Sequence, residues 1–264
     1  QISSLLGARL RRLRMDKEML DTFVYFVNER ENVRIRRAAG TLPSWTMNQI
    51  LRDYHFCNIR REDDRGTKEI RAVVKAHDLH VTQLPATYTL ARLLNSAASL
   101  DVALHEGIHG LKKLRDQSGA KIFNTAYVVS TAGERIDKLD YVERLTKAVR
   151  DLDVPRTSLR EGFDALRTVS GLGSFLAGQV IADLKNDRYY DQHNTPDWYT
   201  FAVMGPGSKK GLDFIYGGGT TERNFEARIS SLDLIVSGKI PALHRQDLQN
   251  CLCEFSKYVR YSEN

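Results

Sequence analysis

The residues best suited to chemistry surround a glycine-rich turn in the second half of the chain. Residues 169–177 read Val-Ser-Gly-Leu-Gly-Ser-Phe-Leu-Ala, a hydrophobic-x-Gly-hydrophobic-Gly pattern between two segments of helical periodicity. Gly171 and Gly173 allow a tight hairpin, and Ser174 can cap the helix that follows. Backbone amides at such a helix N-terminus can bind phosphate. The pattern favours a helix-hairpin-helix that binds a DNA backbone without reading its sequence, with an ordinary αα-hairpin as the alternative.

Two aspartates and a histidine follow the hairpin. Asp191, His193 and Asp197 begin about 18 residues past the hairpin glycines, a spacing that resembles the catalytic aspartate of helix-hairpin-helix DNA glycosylases. A carboxylate there can act as a general base or stabilise developing positive charge. The alternative is that Asp197 only caps the next helix. Phe175 stands where some enzymes of that superfamily carry a Schiff-base lysine, so lyase chemistry is not expected.

A second glycine-rich segment, residues 205–211, combines small residues with two adjacent lysines. Gly207 and Ser208 would expose backbone amides while Lys209 and Lys210 supply charge, as a phosphate site requires. A solvated basic loop is the alternative. The spacing is not that of a Walker A loop, and no other stretch matches one, so the sequence indicates no P-loop kinase of its own.

The sequence His105-Glu106-Gly107-Ile108-His109 matches the H-E-x-x-H pattern of zinc peptidases. On a helix both imidazoles would share a face, with Glu106 as the base and Glu134 as a third-ligand candidate. Gly107 weakens the helix that this arrangement needs. A zinc peptidase is therefore the remote alternative from another class, and no metal site is predicted.

A block of mixed charge at residues 58–65 follows an aromatic segment that includes Trp45. Such density of charge is typical of a solvated face with local ion pairs. Asn and Arg side chains after an aromatic helix can also contact a base edge or a phosphate. The block favours neither interpretation by itself.

The elements that must position these residues are mostly helices. Runs with strand character are few and do not alternate with helices, so a doubly wound α/β sheet is not expected. Residues 121–130 are predicted as a strand or an extended loop, and residues 205–219 as an irregular segment. The predicted helices are Leu5–Met15, Met19–Ala39, Ser44–Phe56, Lys68–Ala76, Pro85–Ala98, Leu100–Asp116, Asp137–Asp151, Arg156–Val169, Ser174–Lys185, Arg223–Val236 and Pro241–Tyr258.

Composition limits the class of protein. The 264 residues carry a formal charge of +6 and a pI near 9.2, which suggests a polyanionic partner without naming DNA. No run of about 18 apolar residues predicts a membrane span. Three cysteines cannot form a disulfide framework or supply the four thiolates of an iron–sulfur cluster. We expect an intracellular protein of the cytoplasm or nucleoid, in a phage-infected cell for example, or of the nucleus in a eukaryote.

Eight segments carry landmarks of a known family in one order along the chain: Phe23–Arg34, Pro43–Arg65, Leu90–Asn95, Ile122–Tyr127, Gly171–Phe175, Asp197–Phe201, Gly205–Ser208 and Cys253–Tyr258. Together they resemble the α-glutamyl/putrescinyl thymine pyrophosphorylase family. This family is also described as the helical domain associated with hydroxymethyl-deoxyuridine DNA kinases, within the helix-hairpin-helix DNA glycosylase superfamily. Ser44 splits the family's Pro-Trp pair, and Met47–Gln49 replaces its usual Asp-Pro.

The resemblance implies thymine hypermodification in DNA. A separate kinase would pyrophosphorylate hydroxymethyluracil in double-stranded DNA, and this chain would replace the pyrophosphate with an amino acid or a polyamine, without a cofactor. Asp197, His193 and Asp191 are the catalytic candidates, and Gly207, Ser208, Lys209 and Lys210 the pyrophosphate-binding ones. The DNA- or base-binding candidates are Trp45, Asn58, Arg60, Arg61, Asp64, Arg65, Gly171, Gly173, Ser174 and Trp198.

The resemblance also implies the domain organisation. Three interpretations of the function stay open. We expect a basic N-terminal helix over residues 1–22, a mostly all-α, helix-hairpin-helix DNA glycosylase-like domain over 23–258, and a tail over 259–264. In one interpretation this domain has two lobes. The hairpin is expected at residues 156–186. The alternatives to the transferase are a glycosylase that excises a modified pyrimidine and a non-catalytic DNA-binding partner of a base kinase.

Overall fold

A computed structural model describes residues 15–40, 45–124, 130–131 and 133–263. Short 3₁₀ turns at Arg61–Asp63 and Val81–Gln83 accompany the α-helices of these ranges. In chain order the helices are α1 (Lys17–Ala38), α2 (Gln49–Asp53), α3 (Arg65–Ala76), α4 (Leu84–Leu94), α5 (Ala97–Ser118), α6 (Lys138–Arg150), α7 (Leu159–Arg167), α8 (Ser174–Lys185), α9 (Pro206–Tyr216), α10 (Glu222–Val236) and α11 (Arg245–Ser262).

The prediction of a mostly all-α fold is confirmed, since the described ranges contain helices and no strand. The helix predicted over Ser174–Lys185 has those bounds in the structure. The predicted Leu5–Met15 helix falls almost wholly outside the described residues, as do Pro43 and Ser44. Residues 17–22 of the predicted basic N-terminal segment belong to α1.

Three predictions about elements were wrong. The helix predicted over Ser44–Phe56 is only the five-residue α2, which begins at the side-chain cap of Asn48. The segment predicted to be irregular contains α9, which begins at Pro206 after Gly205. The helix predicted over Pro241–Tyr258 is α11, which begins at Arg245 and continues to Ser262, and Val259 is buried in the core.

The chain divides into two compact units. Unit 1 comprises residues 1–61 and 199–264, and therefore α1, α2 and α9–α11. Unit 2 comprises residues 62–198, and therefore α3–α8. Each unit has helices that bury apolar faces of their own.

The core of unit 1 is built where α1, α9 and α11 meet. Phe23 and Phe26 of α1 pack against Phe255 of α11, with ring centroids 5.2 and 6.0 Å apart. Gly211 lets α9 approach α11 closely, because a Cβ at this position would lie 2.2 Å from the carbonyl oxygen of Leu252. Gly207, where a Cβ would lie 2.2 Å from Cys253 Sγ, approaches α11 in the same way. These two glycines therefore serve the packing of a helix in a segment whose composition predicts a loop.

The core of unit 2 surrounds α4. All eleven residues of α4 are buried, and the helix packs against α6 and α8. Arg92 of α4 forms a two-pronged ion pair with Asp183 of α8, and also donates to the Thr67 hydroxyl of α3 at 3.2 Å. Both charged side chains are at least nine-tenths buried. This pair fixes α8 against the rest of unit 2.

Among the described helices, none is both long enough and apolar enough to cross a lipid bilayer.

Candidate nucleic-acid interface

The predicted hairpin is present in unit 2, where α7 and α8 are joined by a turn at residues 168–173. Gly171 has φ +96°, a left-handed conformation that strongly favours glycine. A Cβ at Gly171 would also lie 2.4 Å from the hydroxyl of Tyr141 in α6. Leu172, between the two glycines, is 3% exposed. The local pattern of small and apolar residues thus produces a tight turn anchored by one buried leucine.

The N-terminus of α7 is closed by two side chains. The Ser158 hydroxyl accepts from the Glu161 amide at 3.1 Å. The two carboxylate oxygens of Asp197 accept from the amides of Leu159 and Arg160 at 2.9 and 2.8 Å. Asp197 therefore caps an earlier helix than the one expected from the sequence, and its catalytic role stays a prediction.

The N-terminus of α8 differs from that of α7. The prediction that Ser174 caps this helix was wrong: Gly173 is the N-cap residue, Ser174 is the first residue of the helix, and no side chain of the described residues caps it there. Phe175, in the first turn, is 44% exposed. The partial positive charge of a helix N-terminus is therefore not neutralised by a capping side chain, which suits an anionic group.

Asp191 and His193 lie together on an exposed loop after α8. The Asp191 carboxylate accepts from the backbone amide of His193 at 2.9 Å and from the side-chain amide of Asn194 at 2.7 Å. Half-buried Trp198 lies near the buried Lys185, whose ammonium is 5.2 Å from the indole ring centroid. The structure brings Asp191 and His193 together and places Asp197 at α7.

Two candidates of unit 1, Asn58 and Arg60, belong to a network around two buried charges of α1. Arg30 donates to the Asn58 side-chain oxygen at 3.3 Å and to the Phe56 carbonyl at 2.9 Å. Glu31 accepts from Arg34 at 2.7 Å and from Arg60 at 3.1 Å. The hydrogen bond from Arg34, with the nearby charges of Arg34 and Arg60, lowers the pKa of Glu31 below 4.5 despite its burial.

Separate contacts hold the other base- or DNA-binding candidates of this region, which are Trp45, Arg61, Asp64 and Arg65. The Arg61 amide donates to Asp247 at 3.1 Å, and the Arg37 guanidinium lies 4.1 Å from the Trp45 ring centroid. In unit 2, Asp64 is the N-cap residue of α3. Arg65 is highly exposed and lies 3.5 Å from Glu69. Arg65 and Glu69 form a local ion pair, whereas Arg61 is held through its backbone amide, and the DNA-binding role of the block stays a prediction.

The predicted pyrophosphate residues form the first turn of α9. Ser208 is 1% exposed, and its hydroxyl bonds to the backbone of Gly205. Gly207 lies against Cys253 of α11. Lys209 pairs with Asp213 at 2.6 Å, whereas Lys210 is exposed. Lys210 is the member of this set best placed to meet a ligand, and the pyrophosphate assignment stays a prediction.

The zinc-peptidase alternative is contradicted by the backbone of α5. Gly107 has φ +69° and ψ −172°, so the helix is interrupted between His105 and His109. The one-turn spacing that would place both imidazoles on a common face is therefore lost. His105 instead lies beside His77 and Asp101.

Sequence reasoning missed the buried ion pair that holds α8. Arg92 interrupts the apolar run of α4, and Asp183 interrupts that of α8. Charged residues within such runs are rarely buried unless they are paired. Two interrupted apolar runs were therefore a signal that these side chains meet.

The family model described as "5-hmdU DNA kinase, helical domain" matches residues 17–264, so the chain belongs to this family of helical domains. A protein of Bacillus phage SP10 named "5-hmdU DNA kinase" is 24% identical over 298 aligned positions. The alignment covers 95% of this chain and 47% of that protein, so the chain spans about half the length of this relative. No solved structure matches the chain significantly.

Proposed function

We propose that this chain binds duplex DNA containing hydroxymethyluracil and takes part in the enzymatic modification of that base. Membership of the 5-hmdU DNA kinase helical-domain family supports the substrate. The observation that carries the binding mode is the hairpin of unit 2, in which α8 begins at Gly173 without a side-chain cap. A DNA phosphate at this terminus would accept hydrogen bonds from backbone amides and interact favourably with the helix dipole.

The finer proposal is group transfer in the helix-hairpin-helix glycosylase superfamily. The amine of an amino acid or polyamine would attack the exocyclic carbon of a pyrophosphorylated hydroxymethyluracil. The carbon–oxygen bond would break, pyrophosphate would leave with the bonding electrons, and the amine would lose a proton. Exposed His193 is the best-placed proton acceptor among the candidates, since Asp197 holds two amides of α7. Lys210 would contact the leaving group.

A non-catalytic role beside a base kinase is the second candidate. The chain spans about half of the phage kinase, and no segment of its sequence fits a Walker A loop. In this version the hairpin would hold the DNA while a separate kinase modifies the base.

A single substitution tests the hairpin. Gly173 has φ −70° and open space around its Cβ position, so Gly173→Asp is sterically compatible. Aspartate at an N-cap stabilises a helix but would repel a phosphate approaching the same amides. We expect an unchanged or higher Tm and at least about tenfold weaker binding to hydroxymethyluracil duplex DNA, in line with loss of one charge-assisted contact.

Thr221→Asp provides the matched control, because it places the same charge at the exposed N-cap of α10 in unit 1. Equal loss of DNA affinity in both variants would refute the hairpin assignment.

Mass spectrometry of nucleosides after incubation with pyrophosphorylated DNA, amino acids and polyamines separates the functions. A heavier nucleoside with released pyrophosphate indicates the transferase, an abasic site the glycosylase, and unchanged DNA the binding role.

A further inference from the structure

Two helices of unit 2 bring two imidazoles and a carboxylate together on the surface. His77 follows the last residue of α3, while Asp101 and His105 are one turn apart on α5. The His77 Nε2 lies 3.0 Å from Asp101 Oδ1, and the two imidazole ring centroids are 4.3 Å apart. One potential ligand atom from each of the three side chains lies within 4.8 Å of the others.

The spacing of these atoms suits a transition-metal ion. Zinc ligands at about 2.0–2.1 Å from a tetrahedral ion lie roughly 3.3 Å from one another. The Asp101 Oδ1 is 3.0 Å from His77 Nε2 and 3.6 Å from His105 Nδ1, which brackets that separation. The His105 Nδ1 also lies 3.0 Å from the Asp101 carbonyl oxygen. Metal binding through Nδ1 would replace this contact, with the imidazole proton carried on Nε2.

The type and exposure of the donors define the class of ion. Two imidazole nitrogens and one carboxylate favour Zn²⁺, Co²⁺ or a related ion over Mg²⁺ and Ca²⁺, which prefer oxygen ligands. The His77 side chain is 13% exposed, whereas those of Asp101 and His105 are 50% and 64% exposed. One ligand is thus held firmly at the base of the site, and the other two face solvent.

We propose that His77, Asp101 and His105 form a binding site for a divalent transition-metal ion, with three protein ligands and the remaining coordination positions open to solvent. This proposal departs from the sequence-based expectation of no metal site. It is also distinct from a zinc peptidase, because the break at Gly107 separates His109 from His105. The ion would link the end of α3 to the first half of α5. The proposal of this metal site does not depend on the proposed DNA function.

The test is to titrate the chelator-treated full chain with Co²⁺ while its absorption spectrum is recorded. A second titration, with Zn²⁺, is measured by calorimetry. We expect one ion per chain, and at least about tenfold weaker binding for His105→Ala and for Asp101→Asn, because loss of even an outer partner of a metal site costs about 10–100-fold. His109→Ala is the matched control, since His109 is exposed on the same helix and lies outside the cluster. It should bind like the original chain.

Two outcomes would overturn the site. One is the absence of Co²⁺ and Zn²⁺ binding by the original chain up to millimolar concentration. The other is equal affinity of the His105→Ala, Asp101→Asn and His109→Ala variants. Both substituted ligands are half or more exposed, so these variants should fold, and circular dichroism checks this directly.

Discussion

At the residue scale, Asp197 shows how one carboxylate can fit both a catalytic and a structural pattern. Its spacing after the hairpin matches an expected catalytic position, while both of its oxygens hold amides of α7. A cap and a catalytic group respond differently to substitution. The two roles can therefore be separated by measuring stability and turnover on the same variants.

We expect Asp197→Ala to lower the free energy of unfolding by about 1–2 kcal/mol, the usual cost of losing a helix cap. Chemical denaturation measures this, and Ser158→Ala, at the same helix end, should give a loss of similar size. Asp197→Asn keeps one acceptor oxygen and should be less destabilising. Full turnover by a folded Asp197→Asn protein would remove Asp197 from the catalytic proposal and leave only its capping role.

Glu31 gives a pH dependence whose sign follows from its ion pairs. The hydrogen bond from Arg34 is the main reason that the pKa of Glu31 is lowered in the folded chain. The stabilisation is therefore complete above the unfolded pKa near 4.5 and is lost as pH falls through the lower folded value. We expect Glu31→Gln to be about 1–3 kcal/mol less stable at pH 7.

The measurement for Glu31 is denaturation of both proteins between pH 7 and pH 3. The difference between them should be constant above pH 5 and shrink below about pH 4.5. If the difference in unfolding free energy between the two proteins does not change with pH, the ionised carboxylate of Glu31 contributes nothing to stability. Glu69→Gln is the control, because Glu69 is exposed and pairs only at 3.5 Å with a highly exposed arginine.

At the element scale, helix boundaries were predicted best where the sequence itself marks the start of the helix. The bounds of α8 were predicted to the residue, since its start directly follows the hairpin glycines. In contrast, α9 was missed because Gly205, Gly207 and Gly211 are typical of loops. The glycines of α9 are required by its contact with α11, which no local pattern reveals.

We expect Gly211→Ala to destabilise the protein by about 1–3 kcal/mol, although alanine has the higher helix propensity. Its Cβ would lie 2.2 Å from the Leu252 carbonyl oxygen, so α9 and α11 must separate. Gly66→Ala, in the first turn of α3 with open space around the Cβ, should be neutral or stabilising by about 0.4–1 kcal/mol. A stabilising Gly211→Ala would contradict the close packing of the two helices.

At the scale of the whole molecule, the positive charge is unevenly distributed along the chain. Residues 62–198 contain 19 Lys+Arg and 20 Asp+Glu, a balance of −1, so the excess of +6 for the whole chain lies in the residues of unit 1. The hairpin therefore belongs to the nearly neutral unit. Its proposed phosphate contact would depend on helix geometry, whereas long-range electrostatic attraction of DNA would come from unit 1.

We expect duplex DNA binding to weaken about tenfold or more when salt rises from about 50 to about 200 mM, because phosphate contacts release counterions. The Gly173→Asp variant should have a smaller slope of log affinity against log salt than Thr221→Asp. Fluorescence anisotropy at several salt concentrations measures both slopes. Affinity independent of salt would contradict a phosphate-based interface.

The sequence by itself determined the helical class, the bounds of α8, the hairpin turn and the family landmarks, because these depend on local periodicity, glycine conformation and residue order. Only the tertiary structure decided the partners of the polar side chains. Asp197 meets α7, Arg92 meets Asp183, and His105 meets His77 and Asp101. Most of these pairs are distant in the chain, and their contacts are set by how the helices pack, which spacing along the sequence does not specify.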